Sequence, residues 1–185
     1  MKKLKSILKK IVIVVVISLV AIIGFSLVYG KPAEEIIAEN NKKIEELKEQ
    51  KEYIEQVDTT LTEVSEEMYN LSMSISNDIQ NNTLNKAEAL LDYKKIGDKA
   101  IINTEKISDA QLKLSLITIE KNIGDYVKVS MDGITNMDSE KLVESSKYIE
   151  NVTNEIDNYL VVKEKALEEL DKQIKVIEKN SESVK

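Results

Sequence analysis

A chain of 185 residues with 33 acids, 26 Lys, a formal net charge of −7 and no Cys, His, Trp or Arg excludes several classes at once: disulfide scaffolds, lipid-modified Cys anchors and di-iron bundles, which need Glu-x-x-His motifs. The charge is divided: residues 1–30 hold five Lys and no acid, whereas residues 31–185 hold 21 Lys and 33 acids, a net −12. That acidic remainder excludes nucleic acid, which requires a basic face. Lys to the exclusion of Arg, with abundant Asn and Ile, matches the usage of an AT-rich bacterial genome.

Ile11 to Tyr29 contains no charge. At about 1.5 Å per residue this run reaches roughly 28 Å as a helix, close to the ~30 Å hydrocarbon core of a bilayer. The sequence therefore predicts a transmembrane signal-anchor over 11–30, with Ile11, Val14, Leu19, Ile22 and Phe25 in lipid and Tyr29 at the interface. Lys2, Lys3, Lys5, Lys9 and Lys10 form a basic tail over 1–10, against Lys31 on the other side. This asymmetry predicts a cytoplasmic N-terminus and an extracytoplasmic domain from residue 31 onward. A cleaved signal peptide, releasing a secreted helical protein, is the alternative. Its apolar region is usually shorter, about 7–15 residues, and Val28-Tyr29-Gly30 is the one weak cleavage motif.

Pro32 suits the first turn of a new helix, and Glu34 and Glu35 complement its dipole. From there to about Gln80 no Gly or Pro interrupts the chain. Ile54, Val57, Leu61, Val64, Met68, Leu71 and Ile75 recur in alternating steps of three and four, which is a heptad seam. Leu47 precedes them, with polar Asn40 and Gln50 at seam positions. Asn77–Asn82 reads as a turn, and Thr83 as the N-cap of a second helix reaching Lys106, with Ala89, Tyr93, Ile96, Ala100 and Ile107 on one stripe and a kink at Gly97-Asp98. Ser108 with Gln111 matches a capping box for a third helix, striped by Leu112, Leu116, Ile119, Ile123 and Tyr126. Met131 to Asp138 is a second turn region or a frayed helix end. Asp138 or Ser139 then caps a last helix whose seam runs Leu142, Ile149, Val152, Ile156, Leu160, Lys163, Leu167, Leu170, Ile174, Ile177, with a stutter at Ile156–Leu160.

These unequal segments predict an all-α protein: a transmembrane helix followed by an antiparallel bundle of four helices with a coiled-coil stem. The bundle occupies 58–162, the stem pairs 31–57 with 163–180, and 181–185 is a disordered tail. A parallel homodimer zipped along the first helix is the alternative. The partners expected are the bilayer, through the N-terminal helix, and a protein or a second copy, through the coiled coil.

No catalytic constellation, cofactor motif or metal set stands out. The pairs Glu34-Glu35, Glu45-Glu46, Glu66-Glu67 and Glu168-Glu169 lie off the seams among Lys, as solvated faces do. Asp132, Asn136, Asp138 and Glu140 do not follow EF-hand spacing. Met68, Tyr69, Met73, Tyr93, Tyr126, Met131 and Met137 are either core fillers or the lining of a crevice between helices. The outline, a membrane helix leading into a four-helix bundle, is similar to the sensor half of bacterial chemoreceptors. It lacks a second membrane helix, a signalling domain and ligand-gripping Arg. It also resembles small helical cell-wall-associated lipoproteins, without their Cys. The reading is a non-enzymatic, membrane-anchored bundle acting by protein–protein or envelope contact. Ligand sensing through a partner is the alternative.

Overall fold

The computed structural model describes residues 32–183. Lys2, Lys3, Lys5, Lys9 and Lys10, and the apolar positions Ile11, Val14, Leu19, Ile22, Phe25 and Tyr29, lie outside the described residues. Among the described residues no helix is long and apolar enough to cross a membrane.

The described residues are all-α, with four helices: α1 (Ala33–Asn81), α2 (Lys86–Lys99), α3 (Ala110–Asn136) and α4 (Ser139–Ser183), with one 3₁₀ turn, Thr104–Lys106, between α2 and α3. The described residues divide into two units, one spanning Glu46–Ile174 and one joining residues 32–45 with residues 175–183.

In the smaller unit, Ile36 and Ile177 are buried beside two polar residues, Asn40 and Ser181. The Asn40 amide donates to Ser181 Oγ at 3.0 Å, and the Ser181 hydroxyl donates to the Ile177 carbonyl at 2.9 Å. Asn40 is thus satisfied at its seam position, where a polar residue fixes register. These bonds also explain why residues 181–183, expected to fray, continue α4.

The larger unit is built around one apolar core to which all four helices contribute. From α1 come Ile54, Val57, Leu61, Val64, Met68 and Ile75, all buried, with Leu71 half-buried. In α2 and beyond, Ala89, Tyr93, Ile96, Ala100 and Ile107 are buried, and in α3 Leu112, Leu116, Ile119, Ile123 and Tyr126. Pairs across the unit fix the directions. Lys51 meets Asp171 and Asp58 meets Lys163, so α1 and α4 run oppositely. Lys99 meets both Glu63 and Glu67, each at 2.7 Å, so α2 returns along α1. Gln50 bonds Ser108 and Met68 bonds Tyr126, so the chain after the 3₁₀ turn runs parallel to α1.

Several local expectations are corrected. The second helix does not extend from Thr83 to Lys106. It begins at Lys86, capped by Asn85, whose side chain accepts from Glu88 N–H, and ends at Lys99. Ile101, Ile102, Asn103 and Thr104 are four successive poor helix formers, and the Asn103 side chain takes Glu105 N–H to start the 3₁₀ turn instead. Second, α3 is capped by Asp109, which accepts from Leu112 N–H at 2.7 Å, not by a Ser108 box; the Ser108 hydroxyl pairs with Gln50. Third, Leu160 does not sit on the α4 seam. It is 38% exposed, while Tyr159 is fully buried. The heptad from Val152 continues through Ile156, Tyr159 and Lys163 to Ala166. Tyr159 is long enough to reach across, its hydroxyl donating to the Ile54 carbonyl at 3.4 Å. Lys163, beside it, pairs with Asp58 at 2.9 Å. The doubled step of four falls later, at Ala166–Leu170–Ile174, and Leu167 is half-buried; Ile149 and Ile156 are also half-buried.

Two turns close the same end of this unit by the same device. Past α1, Asn82 is left-handed (φ 56°), with Thr83 N–H donating to the Asp78 carbonyl and Asn82 N–H to Ile79. The helix therefore outlasts the turn expected at Asn77. Past α3, Met137 is left-handed (φ 54°), with Asp138 N–H donating to Gly133 and Met137 N–H to Ile134. Both are Schellman motifs, which usually take Gly. Gly133 itself has no room for a side chain, since a Cβ there would lie 2.9 Å from Leu142.

Candidate functional site

At this turn end of the larger unit a cleft of about 460 Å³ opens between α1, α2 and α4. Ser72, Met73, Ser76 and Ile79 line it from α1, Tyr93 from α2, and Met137, Leu142, Val143 and Ser146 from the α3–α4 turn and α4. Along the same α1–α4 seam, Tyr69 borders a second hollow with Glu66, Ile149 and Thr153. Four large apolar side chains here face solvent: Tyr69 at 58%, Met73 at 50%, Met137 at 53% and Val143 at 65% exposure. Tyr69 and Met73 are one helical turn apart and share a face of α1. Exposed apolar side chains gathered on a concave surface mark contact sites, unlike scattered ones.

Met137 adds a conformational signal. A left-handed backbone costs a non-glycine residue about 1–2 kcal/mol, a cost Gly would avoid. The cost is borne by a residue whose side chain lines the cleft.

Beneath the cleft lies a buried hydroxyl cluster. Tyr126 donates its single phenolic hydrogen to the Met68 carbonyl at 3.0 Å, so Ser72, 2.8 Å from the same oxygen, is the donor in that pair. Tyr93 and Tyr126 meet edge to face, with ring centres 5.6 Å apart. Fully buried Ser130 lies close enough to both phenols to bear on their ionisation, yet its hydroxyl makes no hydrogen bond of normal geometry. Burial pushes the Tyr93, Tyr126 and Tyr159 phenols above their ordinary value, reinforced in Tyr126 by Tyr93 and in Tyr159 by Asp58, and opposed in Tyr93 and Tyr126 by the Ser72 and Ser130 hydroxyls. The sign of the consequence follows. The folded state holds these groups protonated, so their contribution is complete below about pH 10 and is lost as pH rises above it. An alkaline titration of the seven tyrosines followed by phenolate absorbance is expected to show two phases. Exposed phenols ionise first, and the buried ones only in a cooperative step that coincides with loss of helicity. A single ordinary phase with helicity intact would place all the rings in water.

The charge of α1 after Lys51 is one-signed. Residues 52–85 contain seven acids and no Lys, whereas residues 86–128 contain eight Lys and seven acids. Three of the seven acids are neutralised from other helices: Glu63 and Glu67 by Lys99, and Asp58 by Lys163. On α4, Glu140, Glu144 and Lys147 line an adjoining hollow together with Ser139 and Val143, which also line the cleft.

Of the carboxylate pairs, Glu67 is tied to Lys99 and Glu168 faces Lys172 at 3.9 Å, while Glu66 lines the second hollow and Glu46 lines another with Glu49, Glu52 and Lys106. Asp132 pairs with Lys141 and with Asn136, while Asp138 caps α4 by accepting from the N–H groups of Glu140 and Lys141. Among the described residues no group of three or more acids is placed to hold a metal ion. Of the Met and Tyr residues singled out in the sequence, Met68, Tyr93 and Tyr126 are buried in the core and Met131 is half-buried, with Tyr93 also reaching the cleft wall. Tyr69, Met73 and Met137 are the exposed ones. Val143 and the serines of α4 were not singled out. Their signal is that Val143 is apolar yet one position off the Leu142 stripe. No protein-family model matches the chain, and no curated protein or solved structure is detectably similar to it.

Proposed function

We propose that this chain is a single-pass membrane protein that displays an extracytoplasmic antiparallel four-helix bundle on a coiled-coil stem, and that it acts by contact with another protein or envelope component and not by catalysis. The observation that carries the contact reading is the cleft, where Met73, Met137 and Val143 stand in solvent on a concave wall. The tether rests on the uncharged run Ile11–Tyr29 and the five Lys before it. The test is topology in cells. With a tag at the C-terminus, the chain should resist extraction by carbonate, dissolve in detergent, and lose its tag to protease added outside the cytoplasmic membrane. A protected tag, or a chain released by carbonate, would sink the tethered reading.

Ligand sensing is the second reading, supported by the unsatisfied Ser130 hydroxyl next to the cleft-lining Tyr93. It requires that a small molecule raise the Tm in proportion to occupancy. A screen of amino acids, sugars and divalent ions without a shift would count against it.

A further inference from the structure

We infer that the α1–α4 groove of the larger unit is a docking surface for a basic amphipathic helix of a partner protein. This deepens the contact reading above and rests on it.

Three observations converge. The groove presents a line of apolar side chains, exposed Tyr69 and Met73 on α1 and exposed Val143 and half-buried Ile149 on α4. From Glu66 to Ser76, and from Val143 to Thr153, the lining spans about 15 Å along each helix, the length of roughly three helical turns. A helix laid there offers its own apolar residues at the matching repeat.

The rim selects the charge of the occupant. Glu66 lines the groove, and Glu140 and Glu144 line the hollow that adjoins it at Ser139 and Val143, where the one Lys is Lys147. The neighbouring stretch of α1 holds no Lys between Lys51 and Lys86. An acidic or neutral helix would leave these carboxylates facing like charge or nothing, whereas Lys and Arg flanking an apolar stripe would complement them. Methionine supplies the third element. Met73 and Met137 are unbranched and polarizable, and adapt to the varied side chains of a docked helix. Met137 is held at the mouth in a left-handed conformation that Gly would adopt more readily.

The experiment uses the full-length chain in an uncharged detergent. The probe is a synthetic helix of Leu and Lys with its Leu on one face; the control is a peptide of the same composition with the stripe scrambled. The striped peptide should bind, and bind several-fold more weakly as salt is raised from about 50 to about 300 mM. The scrambled peptide should bind far less. Met137→Gly is the decisive variant, because it relieves the backbone while removing the side chain. It should melt higher than the parent yet bind about tenfold more weakly. Glu66→Gln combined with Glu144→Gln should weaken binding and flatten its salt dependence. Leu114→Ser with Ile117→Ser, exposed on α3, should change nothing. Equal binding of both peptides, undiminished binding by Met137→Gly, or loss through the α3 pair would overturn the assignment. So would concentration-dependent self-association abolished by Met137→Gly, which would make a second copy the occupant. None of these results bears on membrane topology, so the tethered reading stands or falls separately.

Discussion

Leu61→Asp should unfold the larger unit outright. Leu61 is 2% exposed in the α1 seam, between Val57 and Val64. The substitution forfeits about 1.5–3 kcal/mol of apolar burial. It also places a carboxylate in the core, at a further cost of several kcal/mol whether it ionises or takes up a proton. Together these match the roughly 5–15 kcal/mol that holds a domain folded. Far-UV circular dichroism should show helicity collapse and the cooperative melt vanish, while Leu61→Met, a near-isosteric exchange, should cost less than about 1.5 kcal/mol. Unchanged helicity and melting in Leu61→Asp would remove Leu61 from the core.

The second large effect separates ring from hydroxyl at Tyr126. Tyr126→Ala deletes a fully buried ring and its edge contact with Tyr93, and should cost about 3–5 kcal/mol. Tyr126→Phe keeps the ring and loses only the bond to the Met68 carbonyl and the acceptor for Ser72, about 1 kcal/mol. At roughly 2–4 °C per kcal/mol for a chain of this size, Tm should fall by about 6–20 °C for Ala and a few degrees for Phe. Equal losses would mean that the hydrogen bonds, and not the packing, hold this part of the unit together.

The parts of the fold legible in the sequence are those where apolar identity and period agree. In α1 every seam position from Ile54 to Ile75 is aliphatic or Met, so steps of three and four could be counted without ambiguity. In α4 the inward positions include buried Tyr159 and Ala166 and half-buried Lys163, none strongly apolar. The adjacent Leu160 and Leu167 drew the count one residue off. The end of α2 was hidden because Ile101 and Ile102 extend the apolar pattern, while the helix is stopped by backbone competition at Asn103, which periodicity does not register. The cleft needed three dimensions. Ser72, Tyr93, Met137 and Val143 come from four separate stretches, brought together by the direction of each helix and by two left-handed turns. The trace available beforehand was that Met73, Met137 and Val143 fall outside every stripe, and an apolar residue with no place in a core pattern asks for another use.

The run of α1 without lysine has a practical side. Between Lys51 and Lys86 there is no amine at all. A lysine-specific protease therefore releases residues 52–86 as one peptide, carrying nearly all of one wall of the groove intact. Amine-reactive cross-linkers leave that wall unmarked even when a neighbour sits directly on it. Carboxyl-coupling or light-activated reagents are the chemistry that can record an encounter there.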